Sequence, residues 1–223
     1  MANVNAPHGL QPVQDLSGRP YSGGANLYWI PAADTQAYYV GDVVSTLTGT
    51  GSTALGSDVN GVLQARKLTG AQTASAIRGV VIGMQVAPVG VGAGVSQGNA
   101  VNLNVQFVPA TKANDYYILV ADDPDLVFEI QGDNAGTLNP ATGGTGGTPV
   151  VGANAGYTVA APTGTSPVSA TVLTTASINT TSTLPLKIIG LPYRPNVDFT
   201  ANTPFLVVIN VHELQRGPGS AGS

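Results

Sequence analysis

From Asn134 to Leu186 the chain carries no Asp, Glu, Lys or Arg. No other feature narrows the possible folds so far. A helical segment of that length presents exposed faces that Glu, Lys and Arg normally fill. Strands and arcs made of Thr, Ala, Val and Gly need no such charge. The whole chain follows the same trend. Only 9% of its residues are charged, against roughly 25% in an average soluble domain, and it holds 29 Gly and 16 Pro. The expected fold is all-β, a sandwich or barrel of the jelly-roll kind. A length of 223 residues is enough to bury a core.

Composition also excludes functions. A net charge of −4 lacks the basic footprint that nucleic-acid binding needs. Without Cys there is neither a disulfide framework nor a thiolate metal site. No apolar run reaches the ~18 residues of a membrane-spanning helix. The start, MANVNAPHGL, has no basic segment followed by an apolar one, so the reading places synthesis in a cytoplasm. No cofactor and no metal are expected.

Residues 1–25 hold Pro7, Pro12 and Pro20 with no helical or strand period, which predicts an extended arm. Residues 26–215 are read as one β-domain, with 136–183 as a Gly/Thr-rich insertion whose GGTGGT segment is a mobile loop, and 216–223 as a flexible tail. LYWI (27–30) starts the first strand, and Trp29 is placed in the core. QAYYVGDVVSTL (36–47) is strand, Gly-Asp turn, strand. IRGVVIGMQVAPV (77–89) is a strand with Gly79 and Gly83 at bulges or close approaches. AVNLNVQFVP (100–109) alternates, with Val101, Leu103, Val105 and Phe107 on its inner face. TPFLVVINVHEL (203–214) is an inner strand whose first half is buried on both faces.

The densest acid cluster, Asp122, Asp123 and Asp125 around Pro124, is read as a solvated turn. Asp before Pro caps a type I turn, and the proline presets φ at the next position. The alternation that follows sets Leu126, Phe128 and Ile130 against Glu129. A calcium loop would require a D-x-D-x-D-G pattern, which is missing. Gly94-Val95-Ser96-Gln97-Gly98 matches the G-x-S-x-G of hydrolases, but a β-alternating run follows it where a helix is required. A base would have to come from His212. His8 and His212 are the only histidines; they are too far apart in sequence to suggest a metal site, and His212 is read as a rim residue.

The order of features resembles the cement (decoration) proteins of tailed-bacteriophage heads. The similarity lies in the opening ANVNAPHGLQPV, the turn Gly41-Asp42-Val43-Val44 and the strand Gly79 to Gly83. It continues in the acid segment Asp122 to Gln131, in Leu186 to Leu191, and in the closing strand Phe205 to Leu214. The resemblance implies a non-enzymatic virion structural protein on the outside of a phage capsid, stabilising it by multivalent symmetric contacts. It implies the major capsid protein and neighbouring copies of the chain, as a trimer, for partners. Val4, Leu10, Val13, Leu16 and Tyr21 in the arm are the expected contact residues for capsid or neighbour, since a purely solvating tail would not need apolar anchors. Other readings are a head fibre or minor capsid component and, from a different class, a secreted adhesin or carbohydrate-binding β-domain.

Overall fold

The structure, a computed structural model, describes residues 3–46, 56–58, 61–86, 106–133, 138–162, 166–195 and 197–215. It consists of two antiparallel sheets packed face to face, a β-sandwich, as the composition predicts. Sheet A runs in the order β1 (Gln11–Asp15), β8 (Leu126–Gln131), β12 (Pro204–Ile209), β11 (Leu186–Gly190), β9 (Asn154–Val159), β10 (Val172–Asn179), with β5 (Gly70–Gln72) also paired to β9. Sheet B runs β2 (Asn26–Ile30), β7 (Tyr116–Ala121), β6 (Gly79–Val86), β3 (Val43–Ser45), β4 (Arg66–Lys67). Among the described residues no helix is long and apolar enough to cross a membrane.

Sheet B acts as a partition between two cores. Val43, Val80 and Ala121 face sheet A and join Leu126, Phe128 and Phe205 in the inter-sheet core. Their chain neighbours Val44, Val81 and Val120 face the other way, into a second core with Tyr28, Ile30 and Ile118. That is why these strands read as continuous apolar runs rather than alternating ones. Sheet B curls around its second core because segment 63–67 joins both of its edges. Trp29 N donates to Leu63 O and Ala65 N to Trp29 O, while Val44 pairs with Lys67.

Gly79 and Gly83 have separate roles. A Cβ on Gly79 would lie 2.4 Å from Ala121 O, so only glycine lets β6 approach β7 there. Gly83 follows a register shift after Val81. Bulge and close approach, both expected from sequence, fall on one strand.

Several expectations need correction. The stretch 136–183 is not an insertion on a finished domain. It supplies β9 and β10, and its Val150, Ala155, Tyr157, Leu173 and Ile178 lie in the inter-sheet core. β9, enclosed between β11 and β10, has little surface on which to carry charge. Within GGTGGT, Thr145–Gly147 forms a short 3-10 turn against β10, closed by Gly144 N to Thr148 O and tied by Thr145 Oγ1 to Ala176 O. The described residues 3–25 do not stand outside the domain. β1 pairs with β8, Leu10 is 1% exposed in the inter-sheet core, and residues 19–21 fold back onto β1. An alternation too short to read from sequence is completed by the backbone ladder of β8.

Smaller differences follow the same logic. Trp29 is half-buried, its Nε1 donating to Asp115 Oδ2 at 3.0 Å. Phe107 is 44% exposed and stacked on Tyr39, while Val108 is the buried residue; Val101, Leu103 and Val105 lie outside the described residues. β12 is an inner strand, but Phe205, Val207 and Ile209 are buried and Leu206 and Val208 half-exposed, so one face carries its burial. His212 is 4% exposed, not a rim residue, because Ile77 bridges to it in parallel. Residues 216–223 lie outside the described residues.

Candidate functional site

The acid cluster sits where the chain leaves sheet B for sheet A, between β7 and β8. Its second half is the predicted turn: Asp125 N donates to Asp123 Oδ1 at 2.9 Å and Leu126 N to Asp123 O at 3.2 Å. Its first half is different. Asp122 is 5% exposed. Asn26 Nδ2 donates to Asp122 Oδ1 at 2.8 Å and Tyr28 Oη to Oδ2 at 2.6 Å. Arg78 Nε donates to Tyr28 Oη at 2.5 Å and lies 3.5 Å from Asp122 Oδ2. The reading of the whole cluster as solvated is thus corrected for Asp122, which joins β2, β7 and the start of β6. Burial, and then Asp122, push the Tyr28 phenol well above its usual range. His212, near this network, has its Nε2 enclosed without a hydrogen-bond partner. Burial, and then Arg78, hold it below 6.5.

Among the described residues no three His, Asp or Glu side chains are grouped to hold a metal ion. Both Asp122 oxygens accept protein hydrogen bonds. The chemistry available at this junction is therefore structural: charge-assisted bonds in a place of low dielectric. A groove of about 580 Å³ lies beside it, lined by Asp15, Arg19, Tyr21, Asn26, Asp122 and Asp123. Its Asp15 carboxyl is held down to about 2 by bonds from Ser17 and the Arg19 backbone.

A second buried charge network ties the Gly-Asp turn. Lys67 Nζ lies 2.5 Å from Asp42 Oδ2 and donates to Ala37 O at 3.0 Å. Ser169 Oγ donates to Asp42 Oδ1 at 2.7 Å, and Tyr39 N to Oδ2 at 2.8 Å. Burial pushes the Asp42 carboxyl up, against the pull of Lys67. Gly41, at φ 91°, makes this turn possible; a Cβ there would meet His8 O at 2.3 Å.

The expected contact residues do not act alike. Val4 and Leu16 are 81% and 56% exposed and open to a partner. Leu10, 1% exposed, is a core residue of its own chain and presents no side-chain surface to a partner. Val13 is half-buried in β1, and Tyr21 packs against the inter-sheet core while its hydroxyl donates to Gly24 O. Ser96 and its motif lie outside the described residues.

Sequence reasoning missed the surface where Val4 sits. Asn3, Val4, Ala6 and His8 line a groove of about 440 Å³ with Glu129, Gln131, Arg194 and Pro204. Arg194 Nη2 donates to Glu129 Oε1, and His8 Nε2 lies 3.8 Å from the same oxygen. Tyr193, beside Arg194 in the chain, is fully exposed. Only the outward position of Glu129 on β8 signalled this site; nothing in the spacing of His8 or Arg194 links them. Compared with known proteins, the chain matches no family model, no curated protein and no solved structure.

Proposed function

We propose that the chain is a virion structural protein of the capsid cement type, which binds the outside of a tailed-phage head and stabilises it through repeated symmetric contacts. The observation that carries this reading is the spatial arrangement of the segments that resemble that family. They are scattered over the sequence yet bonded to one another. Gly41 N donates to Val81 O and Val81 N to Asp42 O. Gly79 packs on Ala121 and Asp122. β8, β12 and β11 are consecutive in sheet A. Glu213 accepts from the Thr46 amide at 2.9 Å, two residues beyond Val44. A pattern dispersed in sequence but contiguous in space is what a shared scaffold leaves behind, and this supports the resemblance over chance similarity of separate strands.

The low surface charge suits such a role, since flat interfaces made of hydroxyl, amide and backbone groups are wet and hydrogen-bonded. Each copy then needs only a modest interface, because neighbours in a symmetric cluster raise the effective concentration. Particles assembled from the same genome provide the test. The expected result is a copy number that follows the capsid symmetry, with density outside the shell, and loss of heat resistance in particles lacking the chain. A few copies at one vertex would indicate a head fibre instead. Complete absence from particles overturns the proposal.

A further inference from the structure

Residues 3–9 cross the edge of the groove beside β8 as a strap. From Leu10 onward the chain is tied by backbone bonds, first Leu10 N to Gly41 O and then the ladder of β1 with β8. Among the described residues, 3–9 make no backbone–backbone hydrogen bond. Side chains hold them. Asn3 Nδ2 lies 2.9 Å from both Asp198 O and Thr200 Oγ1. Ala6 N donates to Gln131 Oε1 at 2.9 Å, and Gln131 Nε2 to Asn5 Oδ1 at 3.1 Å. A segment with few buried apolar contacts and no ladder opens before the rest of a fold.

The remaining tether is His8. Its side chain is 23% exposed, and its Nδ1 is enclosed with no hydrogen-bond partner. The charged groups acting on the ring are Glu129, from β8, and Arg194, from the loop after β11. Glu129 Oε1 is already taken by Arg194. Protonating the ring therefore puts a cation in a largely enclosed place beside a carboxylate oxygen that Arg194 already engages; Glu129 and the Gly9 backbone favour the charged ring, but the cost of burying that charge outweighs them.

We propose that residues 3–9 form an acid-releasable strap, lifted from the groove when His8 becomes charged between Glu129 and Arg194. Release stops at Gly9, whose backbone is packed so closely on Gly41 that a Cβ would lie 2.3 Å from Gly41 O. Burial is the main cause holding His8 below 6.5; Glu129 and the Gly9 backbone pull it the other way, and Arg194 adds a smaller push down. The closed strap thus binds fewer protons than the released one. Closure has its full strength above about pH 6.5, the ordinary His value, and weakens as pH falls through that value. The inference concerns the isolated chain and does not depend on capsid binding.

The Ala6 amide reports the strap. Its solvent exchange is measured by NMR on the full chain from pH 7.5 to 5.0, relative to a synthetic peptide of residues 1–12 at each pH. Protection is expected to fall several-fold toward acid, no more steeply than about tenfold per pH unit, the limit for one proton. His8→Gln makes the profile flat. Arg194→Gln frees Glu129 to pair with charged His8, so protection holds or rises toward acid. Flat protection in the wild type, or an unchanged slope in His8→Gln, overturns the proposal. Where His8→Gln loses all protection, the Arg194→Gln profile decides: an acid loss as steep as in the wild type overturns the proposal too.

Discussion

Asp42→Asn removes one member of an ion pair whose side chains are 0% and 7% exposed. Lys67 then keeps its charge inside the protein with only neutral acceptors such as Ala37 O. Breaking a buried pair from one side costs about 3–5 kcal/mol, mostly the penalty of the charge left behind. For a chain of this length each kcal/mol lowers Tm by roughly 2–4 °C, so the expected drop is roughly 6–20 °C. Adding Lys67→Met removes the stranded charge, together with its contact over the Tyr39 ring at 5.0 Å, and keeps an unbranched apolar side chain. The double variant should therefore recover most of the loss. Lys67→Met alone should cost less than Asp42→Asn, because Ser169 and the Tyr39 amide still serve the Asp42 carboxyl and burial already favours its protonation. Scanning calorimetry of the four proteins forms a complete cycle. A fall of less than about 2 °C for Asp42→Asn, well below the range just derived, refutes the reasoning. So does a double variant as unstable as the two single losses added together.

Three further outcomes follow from the packing. Leu10→Ala should destabilise by about 2–5 kcal/mol in urea unfolding, the range for a buried Leu, whereas Val4→Ala should be neutral; equal effects would put Leu10 back among the surface contacts. Gly79→Ala pushes a methyl into the Ala121 carbonyl and should cost more than the ~1–3 kcal/mol of ordinary overpacking, read as a loss of Tm or of soluble yield. Finally, His212 has a folded value below its unfolded one, so it contributes stability above pH 6.5 that is lost as pH falls below it; His212→Gln should flatten the decline in unfolding free energy between pH 7 and 5, and an unchanged decline assigns it elsewhere.

The sandwich was legible because its signals are local. Alternation in 126–131 put Leu126, Phe128 and Ile130 inside, and glycine in IRGVVIGM marked a bulge and a close approach. What could not be read was which strands share a core. The alternation around Phe107 is right in kind, but the bridge from Tyr38 to Val108 decides which residue turns inward. Asp122 looked solvated because its partners, Tyr28 and Arg78, are 94 and roughly 44 positions away, and long-range pairing leaves no trace in spacing. The region 136–183 misled for a related reason. Glycine and threonine are turn formers when seen alone, yet Thr158 and Thr174, diagonal neighbours on β9 and β10, join hydroxyls at 2.9 Å, and such cross-strand pairs contribute to a sheet as apolar ones do.

Most of the charges described in this chain serve its own architecture, and that has a consequence for any partner. Asp42 is paired with Lys67, Asp122 with Arg78, Asp34 with Lys112, Glu129 with Arg194 and Asp15 with Arg19. Asp115 serves Trp29 and the Ala32 amide, and Glu213 the Thr46 amide. The described surface from Leu138 to Leu186 is hydroxyl, amide and small apolar groups without a charge. Docking through such a face neutralises few ions and releases few counterions, and screening acts only weakly on neutral hydrogen bonds. If the chain has the proposed cement role, its binding to capsids should therefore change by less than about tenfold between 50 and 500 mM salt, where an interface built on several exposed ion pairs loses far more. Sedimentation of the chain with undecorated heads across that range measures it. A steep decline with salt shows that charged residues outside this face, Arg194 and Lys187 foremost, make the contact.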